Sequence, residues 1–150
     1  MENVIHIKNA VLVALSGAGT VIANALGGWD AALKVLVCFM AADYITGLVV
    51  AGVFKRSSKS EGGALESRAG FKGLVRKCVV LLFVFLGDLL DKLLGADYIR
   101  TAVCMFFIAN EGLSILENTA LMGVPYPAFI KNMLEAMKDK SDSGETEKRA

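Results

Sequence analysis

Apolar residues fall in long runs along this chain, and the lengths of those runs set the first expectations. Residues 9–29 carry no charge over 21 positions, and Ala31–Phe54 carries a single carboxylate, Asp43, near its middle. A helix rises about 1.5 Å per residue and a bilayer core is about 30 Å thick, so either run is long enough to cross one. Gly27, Gly28, Trp29 and Asp30 separate them, the glycines favouring a turn and the indole a membrane interface. Two more helices are predicted at about 74–94 and 98–118, both with shorter uncharged cores. Asp88 and Lys92 stand four apart in the first of these, placed for an ion pair. Gly123 ends the fourth helix, and Pro125 and Pro127 force an extended exit. Residues 128–138 predict an amphipathic helix with Phe129, Met133, Leu134 and Met137 on one side. The last stretch, 139–150, is almost free of apolar residues and is expected to be a disordered tail.

The fold class expected is an all-α integral membrane protein: a transmembrane domain over 1–138, with helices at about 9–29, 31–54, 74–94, 98–118 and 128–138, then a charged cytoplasmic tail over 139–150. Three or four spans fit the pattern, and four is the expectation. Four place both termini on the cytoplasmic side, whereas three place the N-terminus outside. Composition agrees, since 55% of residues are hydrophobic and the mean hydropathy is +0.54, too apolar for an ordinary soluble domain. The net charge is only +1, but the charges are segregated. Between positions 55 and 77 stand seven basic residues, Lys55, Arg56, Lys59, Arg68, Lys72, Arg76 and Lys77, against two acidic ones. Such an excess marks a cytoplasmic loop and is a topology signal, so no nucleic-acid partner is expected.

Candidate chemistry is confined to polar groups inside the apolar runs. A carboxylate facing lipid costs about 2.5–3.5 kcal/mol on insertion scales, so Asp43 must face protein or water. Gly47 follows it by one helical turn and opens a small-residue seam. Ser16, Thr20 and Asn24 make a polar stripe on the first helix, suited to close helix contact or to a wetted pore wall. Glu111, Ser114 and Asn118 extend a polar face on the fourth. These groups exceed what one small bundle can satisfy, which favours self-association, with Asp43 and Glu111 expected to pair across helices. Cys38, Cys78 and Cys104 lie in separate runs without ligand spacing and are expected to be buried apolar residues. No nucleophile–base pair, metal cluster or phosphate loop is visible, so neither an enzyme nor a cofactor is expected. A small ion channel or transporter subunit and a membrane adaptor remain as rivals.

Asp43 to Gly47, Lys55 to Ser58, Gly70 to Lys77, Asn110 to Asn118 and Met122 to Pro127 together resemble, in the same order, motifs of the toxin secretion/phage lysis holin family. The resemblance covers about residues 31–138. It implies a protein of the bacterial inner membrane that forms homo-oligomers in the lipid bilayer and opens lesions. Through these an endolysin, the functional partner, leaves the cytoplasm without needing direct contact. Some relatives serve toxin export, and the residues do not separate the two uses.

Overall fold

The computed structural model describes residues 2–56 and 67–143. They form five helices: α1 Glu2–Ala25, α2 Ala31–Val49 running on into a π-helical turn Val50–Phe54, α3 Ser67–Leu94, α4 Ile99–Leu121 and α5 Ala128–Ser143. Three of these, Val4–Ala25, Ala31–Phe54 and Ile99–Leu121, are long and apolar enough to cross a membrane. Lys59 and most of the expected tail lie outside the described residues, but α5 extends through Ser143, past the predicted end at 138.

Each boundary has a local cause. α1 stops at Ala25 because Gly27 and Gly28 take φ of 84° and 103°, and the Gly28 N–H donates to the Ala23 carbonyl at 2.9 Å. Asp30 then caps α2, its carboxylate accepting from the Leu33 N–H at 2.9 Å. α4 is capped from another helix: Asp91 of α3 accepts from the N–H groups of Ile99 and Arg100, both at 2.9 Å. α3 begins at 67, well before the predicted 74, so Arg68, Lys72, Arg76 and Lys77 belong to a helix and not to a loop. Hydropathy marks where a helix can enter lipid, whereas helix formation tolerates Lys and Arg equally well.

α2, α3 and α4 share one core, formed by Leu33, Leu36 and Met40, by Val80 and Val84, and by Cys104 and Ile108, with Leu26 closing one end. On each helix these residues recur at intervals of three and four, one stripe per helix. α3 is inverted relative to a water-soluble helix. Its buried positions include Lys77, Asp88 and Asp91, while Leu82, Phe83, Leu86, Leu89 and Leu90 are exposed. This inversion is why α3 does not stand out by mean hydropathy, since its charges lower the average yet point inward. Cys38 and Cys78 correct their expected burial: both sit on outward faces, and only Cys104 is buried.

α5 doubles back along α4 and inserts Leu134 against Gly112. A Cβ at Gly112 would stand 2.9 Å from a Leu134 methyl and 3.2 Å from the Phe39 ring. Gly112→Ala is therefore expected to cost about 1–3 kcal/mol by overpacking. Leu134→Ala in the same chain should return most of that loss, read as thermal unfolding in detergent. α1 stands apart, with no residue of Val4–Ala25 buried.

Candidate functional site

In lipid, apolar side chains gain little by leaving the surrounding solvent, so polar contacts decide how spans associate. The three core helices place theirs in two layers, one at each end of the apolar core. The separation follows from α3, where Lys77 and Asp88 stand eleven residues apart, or about 16 Å along the axis.

The first layer is a charge junction of three helices. Lys77 of α3 donates to Asp43 of α2, Nζ to Oδ2 at 2.9 Å, and to Glu111 of α4, Nζ to Oε2 at 2.6 Å. The three side chains are only 11%, 12% and 10% exposed. Asn118, two turns below Glu111, donates to the second Asp43 oxygen at 3.2 Å and to Thr46 Oγ1 at 3.0 Å. Gly47 lies beside that amide, and a Cβ there would meet it at 3.8 Å, an ordinary contact. Asp43 and Glu111 are thus joined through an ammonium from which both accept. Two carboxylates at this depth would repel, and Lys77 turns the repulsion into two charge-assisted bonds.

Arg100, in the first turn of α4, organises the second layer. Its guanidinium binds Asp30 at 2.6 Å through Nη1, donates through Nη2 to the Gly28 carbonyl at 3.0 Å, and donates through Nε to the Leu26 carbonyl. One side chain therefore ties the corner between α1 and α2 to α4. Asp88 completes the layer, pairing with Lys92 at 2.6 Å as the four-residue spacing predicts. The Arg100 guanidinium beside Asp30 holds that carboxyl below its ordinary value of 3.8. A carboxyl lowered on folding adds stability above its unfolded pKa and loses it as pH falls through the folded value. The corner should accordingly resist proteolysis equally from about pH 8 to pH 5 and loosen only below about pH 4. Asp30→Asn should remove that acid step.

The remaining predicted residues divide. Ser114 is half-buried on α4, between Glu111 and Asn118. Ser16, Thr20 and Asn24 are exposed on α1 and are not brought to the junction; Thr20 Oγ1 donates to the Ser16 carbonyl of its own helix at 2.9 Å. Lys55, Arg56, Arg68, Lys72 and Arg76 are exposed, whereas Lys77, read as a topology determinant, is buried. Its signal was available in the 77, 80, 84, 88, 91 spacing, which sets it on the inward stripe with Asp88 and Asp91. Arg100 had no local signal, its partners being about seventy residues away.

No group of three or more His, Cys, Asp or Glu able to hold a metal occurs among the described residues. No solved structure matches the chain. A probable holin of Bacillus phage phi105 is 38% identical over 107 residues, covering 71% of this chain and 73% of its own. An uncharacterised protein of Listeria innocua is 38% identical over 134 residues, 89% of this chain and 90% of its own. An uncharacterised 14.9 kDa protein of Clostridium perfringens is 36% identical over 142 residues, 93% of this chain and 99% of its own. The bacteriophage holin family model matches residues 20–139, a region that holds both charge layers, the helices α2 to α4 and most of α5, and the chain belongs to that family.

Proposed function

We propose that the chain self-associates in the bacterial cytoplasmic membrane and opens lesions through which an endolysin reaches the cell wall. The observation that carries this reading is α1. It is a helix long enough to span the bilayer, with no residue of Val4–Ala25 buried, and it bears a polar stripe of Ser16, Thr20 and Asn24. Such a stripe in lipid requires either a partner helix or water. A second copy supplies the first in the closed assembly, and the lesion supplies the other. The core helices, by contrast, satisfy their buried charges internally.

α3 serves as a fourth span in this reading, supported by its outward apolar and inward charged faces. The exposed basic residues Lys55, Arg56, Arg68, Lys72 and Arg76 support a cytoplasmic position for that side of the bundle, and with four spans both termini share it in this reading. The Asp43–Lys77–Glu111 junction keeps α2, α3 and α4 together before opening. The endolysin needs no contact with the chain, only a passage.

Reconstitution tests the proposal. Vesicles loaded with both a small dye and a folded protein should release the two together once the chain is added at high density. Release of dye alone would favour a narrow channel, and release of neither would favour an adaptor.

A further inference from the structure

The outward face of α3 changes character along its length. Its inner part exposes Val79, Phe83, Leu86 and Leu90, and its first turns expose Arg68, Lys72 and Arg76, which recur every four residues. At about 100° per residue, the three cations and the four apolar residues fall within one arc of about 80°. The basic strip therefore stands directly above the apolar one. A topology signal needs only an excess of charge in a segment, not charge placed on this particular face. Between Arg76 and Lys92 α3 exposes no charge over sixteen residues of rise, about 24 Å. Long basic side chains reaching outward at the two ends bring that stretch to the thickness of a bilayer core. The strip then lies where acyl chains give way to headgroups.

These cations also lack the partners that others in the chain have. Lys77, Lys92, Arg100 and Lys131 each have a carboxylate within 3.7 Å, whereas among the described residues no carboxylate pairs with Arg68, Lys72 or Arg76. We propose that Arg68, Lys72 and Arg76 bind the headgroups of anionic phospholipids in the leaflet at the start of α3, whose acyl chains lie along Val79 and Phe83. The two guanidinium groups suit a phosphate bidentately, and Lys72 between them adds a point charge. The proposal rests on α3 crossing the bilayer, and the test separates the two claims.

The full-length chain, carrying Trp29→Phe and either Val79→Trp or Leu90→Trp, would be placed in vesicles of phosphatidylcholine and phosphatidylglycerol. Bromine on the acyl chains of one lipid or the other quenches the indole, and the two quenching curves give the relative binding of each lipid at that position. At Val79 the expected result is a preference of at least about fivefold for phosphatidylglycerol, the factor that one basic residue near an anionic surface supplies. At Leu90, on the same arc near the far end, the ratio should be close to one. Arg68→Gln, Lys72→Gln and Arg76→Gln together should bring the Val79 ratio close to one as well. Equal quenching by both lipids at Val79 would overturn the proposal, as would the same preference at Leu90 or a preference that survives the triple substitution. Quenching by neither lipid at either position would overturn the span beneath it too. Should the triple variant fail to fold, salt at about 1 M, where screening acts within about 3 Å, must abolish the preference in the parent. A ratio insensitive to salt would again overturn the proposal.

Discussion

Lys77→Met should be the most damaging single substitution outside the packed core, costing about 3–5 kcal/mol, because it leaves Asp43 and Glu111 buried without their shared cation. The chain should lose its thermal transition in mild detergent and fail to accumulate in membranes. The informative comparison is the neutral triple variant Lys77→Met, Asp43→Asn, Glu111→Gln. With no charge left uncompensated, it should recover most of the stability, to within about 1–2 kcal/mol of the parent. A triple variant as unstable as the single one would mean that Lys77 acts by packing, and the junction would lose its electrostatic interpretation. Among partial variants, Asp43→Asn should be milder than Lys77→Met, since the Lys77–Glu111 pair survives and Asn118 retains an acceptor at position 43.

Arg100→Ala is expected to have the next largest effect, about 2–3 kcal/mol, by stripping one charged donor from Asp30 and from the Leu26 and Gly28 carbonyls together. Its consequence is local. α1 has no buried residue of its own along Val4–Ala25, so the corner held by Arg100 sets its direction relative to α2, α3 and α4. The variant should expose residues 26–30 to protease while the core transition persists. Arg100→Lys should restore less than half of the protection, because a single ammonium cannot reach three acceptors in the fork that a guanidinium spans. Equal protease resistance in the parent and in Arg100→Ala would show that α1 is positioned by something other than this side chain.

These two residues also show what was legible in the sequence. Long uncharged runs, glycine turns and the Pro125–Pro127 exit located the helices, because in lipid the length of an apolar run is itself the structural constraint. Asp43, Glu111 and Asn118 could be singled out for the same reason, a polar group inside such a run needing a partner. The identity of the partner was hidden. Lys77 ends a basic stretch, and seven cations in sequence read as one topology signal until the helix turns the last of them inward. Arg100 pairs with a turn about seventy residues away, a relation that no local spacing encodes. The return of α5 along α4 was equally hidden, since an amphipathic pattern records two faces and not the direction of the axis.

The central claim is that this chain opens a passage for folded protein. It is tested most directly by inducing the full-length chain in a bacterium that holds a muralytic enzyme lacking any secretion signal, while culture density and membrane potential are recorded together. The account predicts a silent interval, then an abrupt fall in density that requires the enzyme and coincides with collapse of the potential. A collapse of potential with the enzyme retained and the cells intact would contradict it.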